Sequence, residues 1–256
     1  MPRFFVQREQ ISDGVVTFTG DDAHHISRSL RMAAGEHVTV CDMQKNEYEC
    51  ELTEFLQDRV LARVLSSTSS DTEPPYRVHV FQALPKGDKL DSVIQKSVEC
   101  GVFELTPFES ERCVVRVKDA NSELKKTERR RRIALEAAKQ SGRGVIPQIH
   151  PTCSFSQAIS QAAKSDIPLF CYEGDATEPL PKVLRRLSAN RGSVDEPILD
   201  IAVVVGSEGG FSLAEVECAR SAGMHVVGLG KRILRTETAA SFVLSCLVYE
   251  FELTEH

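Results

Sequence analysis

The sequence predicts two domains, a small β-rich one followed by a larger α/β one built on a mostly parallel sheet. Three observations predict this. Within the first 65 residues, five short runs rich in Val, Phe, Tyr and Thr are spaced by turn residues. From residue 76 onward, strand-like apolar runs alternate with helix-period patterns, as parallel strands joined by crossover helices require. Between the two parts, SSTSSDTEPP at 66–75 has nothing to bury and reads as a linker, giving domains at 1–70 and 76–256.

The five runs are Arg3–Val6, Val15–Phe18, His37–Cys41, Glu47–Phe55 and Arg59–Leu65. Glu47–Leu52 alternates polar and apolar residues, the period of a half-buried strand. One helical piece, Asp21–Leu30, interrupts them, with Asp21 or Asp22 as its cap. A small β-barrel is the natural closure for such strands. In the second part Val78–Leu84 reads as a strand, and Leu90, Val93, Ile94 and Val98 fall at helical spacing. Leu105–Phe108 is the next strand, and 122–141 is a long helix with Leu124, Ile133, Leu135 and Ala138 apolar. Strands follow at Pro168–Tyr172, Ile201–Val205 and His225–Leu229, with helices at 154–163, 179–188, 212–222 and 237–253. Residues 189–200 read as a polar surface insertion.

Bulk properties narrow the function. Hydrophobic content of 41% and charged content of 27% are ordinary for a globular protein of 256 residues. The longest purely apolar stretch is Ile201–Val205, and the amino terminus turns charged before a signal-peptide core forms, so a cytoplasmic, membrane-free protein is expected. None of the eight cysteines forms a CxxC pair, which gives no support to a zinc knuckle or redox motif; no metal is expected, and the thiols are read as reduced and buried. The net charge of −6 counts against non-specific coating of nucleic acid but leaves room for a local cationic face.

Two stretches carry the chemistry. In Ile201–Gly210, IAVVVGSEGG, an apolar strand runs into three glycines, and Ser212 with Glu215 then forms a capping box that opens a helix. Such a turn presents backbone N–H groups to a ligand at the carboxyl edge of a parallel sheet. It is not a GxGxxG motif, so a dinucleotide reading is weak. In Gly230–Ala240, GKRILRTETAA follows another strand and reaches the same edge. Backbone groups of Leu229, Gly230, Ile233 and Leu234 could bind a flat heterocycle there, and Arg235 and Glu237 could reach a reacting centre. No histidine lies in either loop, and His24-His25 reads as a surface or cap pair.

GSEGGFSLAEVE (206–217) and LGKRILRTETAA (229–240) resemble the two signature motifs of the RsmE family of SPOUT methyltransferases. KGDKLDSVIQKSVECGV (86–102) and EAAKQSGRGVIPQI (136–149) resemble the family's other two blocks, in the family's order. MPRFFV, with RSLRMAAGE (28–36), resembles its amino-terminal PUA-like RNA-binding barrel. Ser207 stands where that family usually has proline, which loosens the turn without removing a ligand group. The resemblance implies a SPOUT-type parallel sheet with a carboxyl-terminal trefoil knot. It implies S-adenosylmethionine bound by Tyr172, Glu173, Val205, Gly206, Glu208, Gly209, Gly210, Leu229, Gly230, Ile233, Leu234, Arg235, Thr236 and Thr238. It further implies a homodimer with its active site near the subunit interface. The reaction implied is methylation of N3 of a uridine in 16S ribosomal RNA, on free RNA or the assembled small subunit. The apolar stripe Phe242, Leu244, Leu247, Val248 and Phe251 could serve either the dimer contact or the chain's own core.

Uridine N3 carries a proton, and removing it spreads charge onto O2 and O4. A fixed cation aimed at those oxygens stabilises the developing anion. Arg143 or Arg235 would supply it, and Glu208 or Glu237 would orient the base or accept the proton. RNA contact is expected from Arg3, Arg28 and Arg31 in the acidic first domain, and from Lys86, Lys89 and Arg143 in the second. The run Arg129–Arg132 reads as a solvated face. Two alternatives remain at this point: a SPOUT enzyme for another target, such as a ribose 2′-hydroxyl or a tRNA base, and a catalytically silent RNA-binding assembly factor. The intact glycines and the full LRTETA argue against silence.

Overall fold

The computed structural model describes residues 1–175, 177–188 and 198–253. They divide into two compact units, Met1–Glu73 with Ala138–Ile146, and Pro74–Ala137 with Pro147–His256. Placing Ala138–Ile146 with the first unit departs from the expected boundary near residue 70. Residues 189–197 of the expected insertion lie outside the described residues, while Leu199 and Asp200 already belong to a strand.

The first unit holds a six-stranded sheet. Its strands are β1 (Arg3–Phe5), β2 (Ile11–Ser12), β3 (Val15–Thr19), β4 (His37–Cys41), β5 (Asn46–Phe55) and β6 (Arg59–Ser69), in the order β1-β4-β5-β6-β3-β2. Only the β1–β4 pair is parallel. Asp13 and Gly14, both at positive φ, make the two-residue turn between β2 and β3, where an Asp-Gly pair suits the required backbone twist. Val16 and Phe18, Val38 and Val40, and Val60 and Ala62 point inward by the two-residue period, and Phe4 meets Phe18 edge-on at 5.3 Å. The expected linker begins late. Ser66–Ser69 extend β6 opposite Asn46–Glu49, because small β-tolerant residues suit an exposed hairpin arm. The expected helix is α1 (Gly20–His24), continued by a wider turn over His25–Ser29, where Leu30 N–H bonds to the His25 carbonyl. Thr19 takes the cap position, so Asp21 and Asp22 sit in the first turn.

The second unit is an all-parallel sheet. Its strands are β7 (Tyr76–Ala83), β8 (Glu104–Glu109), β9 (Gln148–Ile149), β10 (Cys153–Ser154), β11 (Ile167–Cys171), β12 (Glu178–Pro179), β13 (Leu199–Val205) and β14 (His225–Gly228). The order is β10-β8-β7-β13-β11-β14-β12, with β9 also paired to β8. The helices are α2 (Lys89–Glu99), α3 (Ala120–Ser141), α4 (Phe155–Ala162), α5 (Leu180–Ser188), α6 (Leu213–Ser221) and α7 (Thr236–Val248). None of the helices among the described residues is long and apolar enough to cross a membrane. Ile201–Val205 and Ile167–Cys171 are buried throughout, as strands covered on both faces must be. Phe108, Phe155, Phe170 and Phe211 pack as one aromatic cluster.

Several expectations are refined here. Leu124 is exposed; within this unit α3 instead buries Glu123, Thr127, Arg130 and Ala134. Arg129, Arg131 and Arg132 are exposed, as a solvated face requires, and of the run Arg130 alone is buried. Arg130 pairs with buried Glu123 at 2.6 Å, Arg129 grips Asp91, and Arg131 donates to the Ile149 carbonyl. In α7 the buried stripe is Ala240, Val243, Leu244 and Leu247 within the same chain, while Phe242 is exposed. The cysteines are free, and Cys218 is exposed rather than buried.

Candidate active site

Because every strand of the second unit runs the same way, the turns leaving β7, β11, β13 and β14 emerge along one edge of the sheet. β11 lies between β13 and β14, so the segment after β11 is flanked by the two glycine-bearing turns. Together these turns wall a pocket of about 370 Å³, within the range of small-molecule sites. Tyr172, Glu173, Val205, Gly206, Glu208, Gly210, Leu229, Gly230, Ile233, Leu234, Arg235 and Thr236 line it. Lys89, Cys171, Ser207, Arg232 and Ala239 line it as well. Gly209, Glu237 and Thr238 stand beside these residues in the chain without lining the pocket.

The glycines leave space that a side chain would fill. A Cβ on Gly210, at φ +63°, would lie 2.5 Å from Glu173 Oε1, and one on Gly206 would press on Phe211 at 3.1 Å. Gly210 N–H bonds to the Ser207 carbonyl at 2.9 Å, so backbone closes the turn without a proline. The Ser212 hydroxyl accepts from Glu215 N–H, and the Glu215 carboxylate accepts from Ser212 N–H; this is the reciprocal box expected from the spacing.

Thr236 is the joint of the pocket. Its buried hydroxyl donates to the Gly206 carbonyl at 2.7 Å and accepts from Gln82 Nε2 at 2.9 Å. Gln82 Nε2 also reaches the carbonyls of Ala83 and Gly206. One buried network thus ties the end of β7, the turn after β13 and the start of α7. Sequence reasoning did not single out Gln82, although a lone amide in an apolar strand was a visible signal.

Charged groups gather on one side. Lys89 Nζ lies 2.7 Å from Glu208 Oε1 and 3.9 Å from Glu237 Oε2. Burial alone would raise the Glu208 pKa, but the bonds from Lys89 and from the Lys86 backbone outweigh it and hold the carboxyl below its usual range. Glu237 Oε2 is buried without a hydrogen-bond partner. Arg235, at the amino end of α7, has a side chain 82% exposed, with Nη1 4.0 Å from Glu237 Oε1. Lys89, expected on an RNA surface, is therefore an ion-pair partner inside the pocket.

Arg143 is not among the residues that line the pocket. It lies in the first unit, 3% exposed, with its guanidinium held by Glu73 at 2.6 and 2.9 Å. The Glu73 carboxylate also accepts from Gly144 and Val145 N–H. A buried guanidinium must be paired, so Arg143 shapes its own loop and offers no free cation to a substrate or to RNA. Arg3 is similarly engaged, donating to both Glu47 oxygens and to the Arg143 carbonyl. Arg28, Arg31 and Lys86 are exposed.

A parallel α/β sheet with a glycine-walled pocket at its carboxyl edge, joined to a small β unit, defines the class, and the known proteins place it further. Residues 72–248 match the RNA methyltransferase domain family and residues 18–57 the RNA methyltransferase PUA domain. The chain is 35% identical to ribosomal RNA small subunit methyltransferase E of Bacillus subtilis, over 99% of this chain and 98% of that one. A solved enzyme of that name from Neisseria gonorrhoeae, bound to S-adenosyl methionine, aligns with a TM-score of 0.79 at 30% identity over 97% of each chain. A methyltransferase from Legionella pneumophila solved with bound cofactor SAM aligns at 0.81 and 29% over 96% of each. This chain belongs to the family of ribosomal RNA small subunit methyltransferase E.

Proposed function

We propose that this protein transfers a methyl group from S-adenosylmethionine to N3 of a uridine in the 16S RNA of the small ribosomal subunit. The observation that carries this is the pocket itself, in which the turns after the neighbouring strands β13, β11 and β14 converge on glycine-cleared space beside grouped lysine, glutamate and arginine side chains. When bound, the cofactor supplies an electrophilic sulfonium methyl, so the enzyme's tasks are alignment and charge control. Backbone groups of Leu229, Gly230, Ile233 and Leu234 hold the flat heterocycle. The clearance at Gly206 and Gly210 lets backbone approach the ligand closely, and Glu173, beside Gly210, bounds the same wall. Arg235, exposed at the rim, directs its guanidinium at O2 or O4 as N3 loses its proton. Lys89 and the Lys86 N–H hold Glu208 as a carboxylate, which makes it a poor base. Glu237, beside the pocket wall with Oε2 buried 3.9 Å from Lys89 and without a hydrogen bond, would orient the pyrimidine or take the proton once bound substrate brings it into reach.

On the same reading, the sheet of the first unit closes as a PUA-like barrel and the carboxyl-terminal segment passes through a trefoil knot. The working form is a cytoplasmic homodimer, and RNA is held in part by Arg28 and Arg31. Family membership supports these points. Calorimetry with S-adenosylmethionine tests the cofactor, and mapping the methyl group on small-subunit RNA from a deletion strain, with and without the restored gene, tests the target. Arg235→Ala should lower turnover by about 10²–10³ with little change in cofactor binding. Equal loss of both assigns Arg235 to the cofactor pocket instead. A methyl on a ribose or another base refutes the target.

A further inference from the structure

Three side chains meet near the amino ends of β7 and β8, away from the pocket. The sheet register brings them together. His79 pairs with Glu104 on the neighbouring strand, and Glu104 pairs with Gln148 on β9. Side chains alternate along strands, so His150, two residues beyond Gln148, shares the face of Glu104 and Thr106. His150 Nε2 lies 2.8 Å from Glu104 Oε2, and His79 Nδ1 lies 3.6 Å from the same oxygen. One atom from each of the three residues lies within 4.8 Å of the other two. His79 Nε2 meets Thr106 Oγ1 at 2.8 Å, and its ring stacks on Phe81 with centroids 3.9 Å apart. All three side chains are part-exposed, and a cleft of about 290 Å³ opens on His79 and Glu104.

We propose that His79, Glu104 and His150 form a binding site for a divalent first-row transition-metal ion, zinc being the best match, with open coordination positions facing the cleft. Two imidazole nitrogens and one carboxylate oxygen suit zinc and its neighbours, and three protein ligands are the pattern of an open site. An ion bound at about 2.0–2.2 Å to tetrahedral ligands keeps those ligands roughly 3.3 Å apart. The observed separations of 2.8 and 3.6 Å bracket that figure, so loading needs only small side-chain shifts. Thr106 holds the His79 ring through Nε2, and in the tautomer that donates from Nε2–H the Nδ1 lone pair is left toward Glu104. Arg77 and Lys164 line the same cleft and oppose a cation. They set the expected affinity at micromolar, well short of a closed structural site, and they favour an anion in an open position. The site shares no residue with the methyltransferase pocket and stands independently of its chemistry.

The test uses the full chain freed of metal with a chelator. Zn²⁺ titrated by calorimetry should bind one equivalent and raise the melting temperature. Co²⁺ should give visible d–d absorption without sulfur-to-metal charge transfer. His150→Ala and Glu104→Gln should each weaken Zn²⁺ binding at least about tenfold, while Cys218→Ser leaves it unchanged. Binding that survives His150→Ala, or is lost in Cys218→Ser, overturns the site, as does the absence of any binding at about 100-fold above the expected micromolar range. Where a variant fails to fold, X-ray absorption of zinc in the wild-type protein decides. A shell of nitrogen and oxygen with two imidazoles supports the site, and sulfur in the shell refutes it.

Discussion

Replacing Thr236 with valine should loosen the pocket without reshaping it. Valine keeps the volume and the β-branch, so the change isolates the hydroxyl. That hydroxyl makes two buried hydrogen bonds, one to the Gly206 carbonyl at 2.7 Å and one from Gln82 Nε2 at 2.9 Å. A typical buried bond contributes about 1 kcal/mol net, and stranding a buried partner costs about 1–3 kcal/mol. Gln82 Nε2 keeps the Ala83 carbonyl at 3.0 Å and reaches Gly206 at 3.3 Å, so neither partner is wholly orphaned. The sum is therefore roughly 2–3 kcal/mol, near the low end of two full losses. For a protein of this size that corresponds to a fall in melting temperature of about 4–12 °C. Because the bond joins the turn after β13 to the start of α7, both of which wall the pocket, cofactor affinity should fall as well. Thermal denaturation with and without S-adenosylmethionine measures both effects, and Thr236→Ser, which keeps the hydroxyl, should recover most of each. A Thr236→Val protein within 0.5 kcal/mol of wild type, roughly the spread expected of an ordinary surface change, would refute the reasoning. So would a serine variant as damaged as the valine one.

The remaining predictions concern charge and access. Glu123 is held below its ordinary value of 4.5, its burial outweighed by bonds from Thr152 and Arg130. A depressed carboxylate stabilises the fold above the unfolded pKa, and that stability is lost as pH falls through the folded value. Stability should therefore drop below about pH 4.5, with a shallower drop in Glu123→Gln, measured by urea denaturation across pH 3–6; an unchanged slope would exclude Glu123 as a contributor. Burial pushes the Cys171 thiol up to about 12, whereas Cys218 is exposed. A thiol reagent followed by mass spectrometry should label Cys218 first in the native protein, and early labelling of Cys171 would mean that the pocket wall opens. Changing Arg28 and Arg31 to Glu should weaken RNA binding and reduce its salt slope by about two units, one per lost phosphate contact; an unaltered slope would remove that patch from the interface.

The local elements were legible from spacing alone. Ser212 with Glu215 announced the start of α6, the Val/Ile run of β13 announced a strand buried on both faces, and the alternation after residue 76 announced a parallel sheet. Periodic patterns and capping pairs act over three or four residues, so a sequence displays them directly. Boundaries were less legible where polar residues joined ordered structure. Ser66–Ser69 became strand because Asn46–Glu49 lay opposite to pair with them.

Partnership between distant residues was decided by tertiary structure. Arg143 and Arg235 are both arginines in loops, yet one is closed on Glu73 and the other stands exposed at the pocket rim. Lys89 sits on its helix like any amphipathic lysine until folding brings it to Glu208, 119 residues away. His79, Glu104 and His150 belong to no motif and meet only through the register of three strands. The identity of a charged or coordinating residue is written in one position, but its pKa, its partner and its reach depend on what the fold packs within a few ångströms of it. That packing follows the strand order β8-β7-β13-β11-β14, which no local pattern in the chain specifies.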